Sequence, residues 1–468
     1  LCDAFNGIKD DKPTAFIAYT IKGWGTPLAG HKDNHAGLMT KIQMDSFKSK
    51  FGITEGNEWN SFLDAKEDLE LNEFIKNSPF QKARHRKYNS KKIPVDDIIL
   101  ITETKISTQN AFGKILDQYA KNDTEFGNRI ITTSPDVSVS TNLGPWINKK
   151  GLFSRTDSSD TFRDRKIPSA QKWIFSSQGQ HIELGIAEMN LFLMLGAAGL
   201  SHELFGERLF PIGTVYDPFI ARGLDAMNYA CYQDARFMIV GTPSGVSLAP
   251  EGGAHQSIGT PLIGISQPGL LSYEPAFADE LSIIMNYGFN YLQDENGGSI
   301  YLRLTTRSIE QPLREINHEL KKNVIKGGYW LRKPGPNPEI IIIYQGVVAS
   351  EAVEATGMLG ERFKDIGVLG ITSSDNLFHD WKNKYLSNEK NNKNSHIEDL
   401  LNTIPKDTKI VTVIDGHPMT LSWIGSVFGH KIIPLGVDKF GQTGSLNQLF
   451  SEFAIDSESI CNLGFNTK

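Results

Sequence analysis

Short uninterrupted apolar runs alternate with stretches of helical periodicity over most of this chain. Residues 98–101, 129–132, 237–240 and 299–302 read as buried strands, each centred on Ile, Leu or Val. Between the first two, residues 107–120 set Phe112, Ile115, Leu116 and Tyr119 on one helical face, with Ser107 or Thr108 as the cap. Residues 189–200 are apolar and rich in Ala and Gly, as a buried helix would be. Buried strands alternating with helices predict a parallel sheet covered on both faces. The pattern resumes after a proline-rich break at residues 333–338, which suits an inter-domain linker. A strand at 340–344, a turn at Gly346, a helix from Ser350 and strands at 366–371 and 410–414 follow. The expected fold class is α/β, with tandem doubly wound parallel-sheet domains and no internal repeat.

The first 90 residues differ. One apolar run at 15–19 predicts a short strand, and polar helical sequence follows it. The basic run at 81–87 reads as a solvated linker rather than a nucleic-acid patch. Residues 387–395, rich in Asn and Lys, read as a surface loop. A strand so soon after Leu1, with no leader-like segment, leads us to expect the C-terminal portion of a longer protein.

Composition narrows the classes. At 468 residues there is room for two or three domains. No apolar run approaches the ~20 residues that cross a bilayer, so no membrane partner is expected. A net charge of −6 argues against nucleic acid as the main partner. Cys2, Cys231 and Cys461 are far apart, without metal-ligand spacing, and suit a reducing cytoplasm. No metal ligand is expected in this chain.

Three motifs could carry chemistry. Gly185-Ile186-Ala187-Glu188 puts a carboxylate at the mouth of the apolar helix. Such a carboxylate is costly unless bonded and is often functional, although the helix macrodipole also favours a glutamate there. Tyr216 and Phe219, in Tyr216-Asp217-Pro218-Phe219, could form an aromatic wall or plain core. His255 ends the glycine-rich Glu251-Gly252-Gly253-Ala254-His255, after a strand ending at Gly241, where open α/β sheets place ligands. It could donate a proton or be a surface histidine.

Together these motifs resemble the transketolase superfamily of thiamine-diphosphate enzymes. The likeness is strongest to the homodimeric pyruvate dehydrogenase decarboxylating components, with transketolase near behind, and it extends over residues 12–460. It implies a diphosphate-binding-domain tail and linker at 1–90, a pyrimidine-binding domain at 91–325 and a transketolase C-terminal domain at 336–468. It implies thiamine diphosphate and Mg²⁺ as cofactors, the metal held by N-terminal residues outside this chain, since the family's Gly-Asp-Gly…Asn signature does not occur here.

The resemblance also implies roles. Glu188, rather than the nearby Glu183, would bond to the pyrimidine ring nitrogen and drive the amino group to its imino tautomer. Phe219 would stack on that ring and Tyr216 line its pocket. Lys22, in Thr20-Ile21-Lys22-Gly23-Trp24-Gly25, would point at the diphosphate, Asp136 would neighbour the cofactor, and Glu251 is a second cofactor candidate. His255 and His35 would handle protons or orient a lipoyl acceptor. His31, Ser140 and Arg307 are transketolase-like marks that would bind a sugar phosphate. The segment 436–445 resembles pyruvate dehydrogenase, and Thr242-Pro243-Ser244 stands where transketolases carry His-Asp-Ser.

The implied activity is decarboxylation of a 2-oxo acid, pyruvate first, with acyl transfer to a lipoyl acyltransferase partner. The implied assembly is a homodimer in which Glu188 serves the partner's cofactor. The alternatives are two-carbon transfer between sugar phosphates and a non-catalytic dimerisation or docking subunit.

Overall fold

The computed structural model describes residues 1–10, 12–60, 69–78, 90–156, 164–168, 171–386 and 393–466, with side chains described as far as residue 464. The basic run at 81–87 and most of the loop at 387–395 lie outside the described residues. The chain divides into two compact units, Leu1–Arg86 and Lys87–Lys468.

In the first unit the described residues form helices Cys2–Asn6, Lys41–Lys50 and Leu69–Asn77, with connecting turns. Helix Lys41–Lys50 starts at a reciprocal cap: the Thr40 hydroxyl accepts from the Gln43 N–H, and the Gln43 amide oxygen accepts from the Thr40 N–H. The strand expected at 15–19 does not form. Ile17 and Tyr19 are 83% and 98% exposed, and no strand among the described residues of this unit offers them a ladder.

The second unit contains two sheets. After β1 (Lys105–Ile106) come β2 (Ile130–Ser134), β3 (Leu152–Phe153), β4 (Phe175–Ser176), β5 (His181–Glu183), β6 (Phe210–Val215), β7 (Met238–Gly241), β8 (Leu270–Tyr273) and β9 (Ser299–Arg303). Strands β2 to β9 form one sheet in the order β4-β3-β5-β2-β6-β7-β9-β8, every neighbour parallel. β10 (Ile309–Glu310) pairs antiparallel with β1. The other sheet holds β11 (Gly328–Arg332), β12 (Ile340–Gln345), β13 (Gly367–Ile371), β14 (Lys409–Ile414) and β15 (Ile432–Leu435) in the order β11-β13-β12-β14-β15. Only β11 runs antiparallel to its neighbour in this sheet. The proline-rich break therefore connects two strands of one sheet, β11 and β12, rather than two domains.

Burial on both faces explains the uninterrupted apolar runs. Successive strand residues point to opposite faces. Met238 and Val240 enter the core that holds Phe112, Ile115, Leu116 and Tyr119 of helix Thr108–Lys121. Phe237 and Ile239 enter the opposite core, with Leu191, Phe192 and Leu195 of helix Glu188–Gly199. In β12, Ile340, Ile342 and Tyr344 face one core and Ile341 and Ile343 the other.

Residues 98–101 form no strand. Ile98, Ile99 and Ile101 pack against the larger core from an irregular strap. Side chains satisfy part of the strap's backbone just upstream. The Gln293 amide both accepts from the Ile93 N–H and donates to its carbonyl, and Asn286 donates to the Asp96 carbonyl.

Candidate active site

Four adjacent strands of the larger sheet, β5, β2, β6 and β7, are followed at their carboxyl ends by Glu188, by Asp136 and Ser140, by Tyr216 and Phe219, and by Glu251 and His255, at the edge where open α/β sheets bind ligands. β5 leads through the left-handed Gly185 to Glu188, the first residue of helix Glu188–Gly199. β6 runs into Tyr216 to Phe219, and β7 into the turns Val246–Glu251 and Gly253–His255.

Glu188 is only 9% exposed. Its carboxylate is 2.5 Å from Nη1 of Arg222, and among the described residues its other oxygen has no hydrogen-bond partner. The Arg222 guanidinium also lies 3.8 Å from the ring centroid of Phe219. Tyr216 and Phe219 are near parallel, their centroids 6.0 Å apart with an 18° interplanar angle. His255 meets both edge-on, 5.9 Å from Tyr216 and 5.4 Å from Phe219. The carboxylate, the two aromatic rings and the imidazole thus share one site, half-buried at the aromatic and histidine end.

The loop carrying His255 is held from the second sheet's side. Gly252 takes φ +80° and packs where a Cβ would strike Thr443, so glycine is needed there on both counts. Gln256 donates to the Gln442 carbonyl at 2.9 Å. The segment 436–445 singled out in the sequence therefore buttresses the histidine loop. Glu251 ends the preceding turn and is exposed.

Glu183 is bound in a separate network. Its carboxylate accepts from the Ser138 hydroxyl at 2.6 Å and the Asp136 N–H at 2.9 Å, with His181 Nε2 at 3.3 Å. Burial pushes its carboxyl up, but the bonds from His181, Ser138 and the Asp136 N–H outweigh it and hold the group below the ordinary carboxylate range. Asp136 itself is exposed in the left-handed region at φ +67°. Ser140 is exposed and donates to the Val137 carbonyl.

Arg307 is engaged elsewhere. It makes a two-pronged ion pair with Glu351, at 2.9 and 2.5 Å, and lies over the Phe450 ring. In the first unit, Lys22 Nζ donates to His35 Nδ1 at 2.9 Å, and His31 Nδ1 accepts from the Asp33 N–H. Neither histidine lies on a helix.

Sequence reasoning missed Arg222, Asp217 and Arg303. Asp217 lay inside the quoted aromatic motif, and a carboxylate between two aromatics at a strand end was the available signal. It is fully buried. Among the described residues no group of three or more His, Cys, Asp or Glu could hold a metal, and no helix is long and apolar enough to cross a membrane.

Residues 101–312 match the family model described as the pyruvate dehydrogenase E1 component middle domain. The pyruvate dehydrogenase E1 component of Pseudomonas aeruginosa is 25% identical over 479 residues, covering 95% of this chain and 53% of that protein. The one of Cupriavidus necator is 24% identical over 386 residues, 76% of this chain and 42% of that protein. The chain spans about half the length of the curated relatives it matches. The transketolase of Campylobacter jejuni superposes with a TM-score of 0.66 at 16% identity, covering 95% of this chain and 62% of that one. The chain is thus similar to pyruvate dehydrogenase E1 components in sequence, through its middle region above all, and shares the fold of transketolase.

Proposed function

We propose that this chain supplies the pyrimidine side of a thiamine-diphosphate site and acts in the decarboxylation of a 2-oxo acid, pyruvate first, with acyl transfer to a lipoyl group. The observation that carries this reading is the convergence of Glu188, Phe219, Tyr216 and His255 at one sheet edge. The residues present fit the cofactor: a near-buried carboxylate keeps one oxygen unengaged, beside a phenyl ring that can take a flat heterocycle. When bound, thiamine diphosphate supplies the nucleophilic carbon and the electron sink for loss of carbon dioxide.

The protein's own part is position and charge. Glu188 holds a proton against a ring nitrogen, and its setting at the head of an apolar helix excludes water from that contact. Phe219 fixes the ring plane, and Tyr216 closes the pocket beside it. His255, half-buried and edge-on to both rings, donates a hydrogen bond to the substrate carbonyl oxygen. Lys22 and His35, already hydrogen-bonded to each other, serve the diphosphate and the acceptor. Asp136 and Glu251 are the outlying cofactor contacts in this reading, and Mg²⁺ is bound outside this chain. Residues 91–325 form the pyrimidine-binding domain, 336–468 together with β11 the C-terminal domain, and 1–90 belong to the diphosphate-binding side. The site is cytoplasmic.

A homodimer follows from the same reading. Helix Glu188–Gly199 packs on helix Leu224–Tyr232, and along its length the pair exposes Met189, Leu193, Tyr229 and Tyr232. An apolar face of this kind favours a partner surface, and a second copy would bring Glu188 to its cofactor.

Two-carbon transfer between sugar phosphates is the second reading, favoured by the transketolase fold and by His31. Engagement of Arg307 by Glu351, and Pro243 in place of a polar ligand, weigh against it. The test uses the full-length gene product with thiamine diphosphate and Mg²⁺. Pyruvate-dependent reduction of an artificial electron acceptor is expected. Sugar transfer without pyruvate turnover would overturn the proposal and promote His31, Ser140 and Arg307 to ligands.

A further inference from the structure

Beneath the aromatic pair lies a charged network that the proposed chemistry does not use. Asp217, between Tyr216 and Phe219, is fully buried. One of its oxygens accepts from the Thr260 hydroxyl at 2.6 Å and from Arg303 Nε at 3.0 Å, and the other accepts from the Tyr301 hydroxyl. Arg303 is 2% exposed. Its remaining nitrogens donate to Glu274 and, at 3.1 Å, to Ser257 Oγ. Ser257 lies two residues past His255. Glu274 in turn accepts from Gln345 at 2.9 Å, and its N–H donates to the Thr372 carbonyl. Gln345 ends β12 and Thr372 follows β13, both in the smaller sheet.

One buried guanidinium therefore ties the aromatic turn, the histidine loop and the second sheet together. Such a network is a poor way to gain stability, because well-packed apolar side chains of the same volume often do as well or better. What it gives is direction: three planar groups with fixed hydrogen-bond geometry set the turns they belong to. We infer that Asp217 and Arg303 are positioning residues that hold Phe219 and His255 in register with each other, and that the smaller sheet reports to the site through Glu274 and Gln345. This inference rests on the reading of Phe219 and His255 proposed above.

The test is a double-mutant cycle on the full-length protein with Mg²⁺, read as equilibrium binding of thiamine diphosphate by calorimetry. Phe219→Leu is the reference variant. Asp217→Asn keeps the shape and loses the charge, and Tyr301→Phe removes one donor while leaving the ion pairs intact, which guards against a variant that fails to fold. Each is expected to weaken binding about tenfold, within the range a small misplacement costs. In combination with Phe219→Leu the losses should be non-additive, because both act through one ring. A purely structural role would lower thermal stability and give additive losses. Folded Asp217→Asn and Tyr301→Phe proteins with unchanged binding, beside a Phe219→Leu protein that binds weakly, would overturn the inference alone. Unchanged binding in Phe219→Leu itself would overturn the underlying reading of the ring.

Discussion

The Arg222 guanidinium rests on the Phe219 ring, 3.8 Å from its centroid, while pairing with Glu188. A cation therefore covers the aromatic face and the carboxylate that the proposed cofactor needs. Binding must displace a contact of about 0.5–1 kcal/mol at an exposed site. Arg222→Ala should accordingly tighten thiamine-diphosphate binding by about two- to fivefold. Weaker binding in that variant would mean that Arg222 holds the cofactor instead of yielding to it.

The Arg307–Glu351 pair yields a stability prediction. Glu351 is buried, so removing its partner strands a charge away from water. Arg307→Ala should destabilise the fold by about 3 kcal/mol, seen in the denaturant midpoint, with little change in pyruvate turnover per folded molecule. A large rise in KM for a sugar phosphate, without loss of stability, would point to the transketolase reading.

A pH dependence follows from Glu274. It is fully buried, and burial pushes its carboxyl up to about 7 against the pull of Arg303, helped by repulsion from Asp415 and Asp217. One guanidinium cannot neutralise three buried carboxylates. The folded chain thus holds a proton that the unfolded chain releases near the ordinary value of 4.5, and this stabilises the fold. That contribution is complete below 4.5 and is lost as pH rises through about 7. The unfolding midpoint should fall over this window, and Glu274→Gln should flatten the slope. Some slope should persist, since burial also raises Asp415. An unchanged slope in the variant would show that Glu274 is ionised throughout.

The apolar face along helices Glu188–Gly199 and Leu224–Tyr232 predicts self-association. Leu193 is 58% exposed and Tyr232 83% exposed. Leu193→Glu with Tyr232→Glu should shift the protein to monomers in sedimentation while leaving its far-UV circular dichroism intact. A wild-type protein that is monomeric at micromolar concentration would remove the basis for a shared site.

The sheets were legible in the sequence wherever burial acts on both faces, because β7, β9 and β12 each satisfy two cores and so read as apolar runs. Equally apolar runs at 15–19 and 98–101 carried no record of whether a neighbouring strand would pair with them, and neither became a strand. That Glu188, Phe219 and His255 would lie close together was legible because each follows the end of a parallel strand within a recognisable motif. Arg303 was not legible, since an arginine inside a buried strand acquires meaning only from Asp217, Glu274 and Ser257, which lie 29 to 86 residues away. Arg307, read by its motif as a phosphate ligand, is paired with Glu351.

The central claim is that Glu188 is the carboxylate that activates the cofactor. The direct measurement is pyruvate turnover of the full-length Glu188→Gln protein, saturated with thiamine diphosphate and Mg²⁺, against wild type of equal thermal stability. Turnover should fall at least ~100-fold, the scale for loss of a key acid/base or electrostatic group. Turnover near that of wild type would contradict the account.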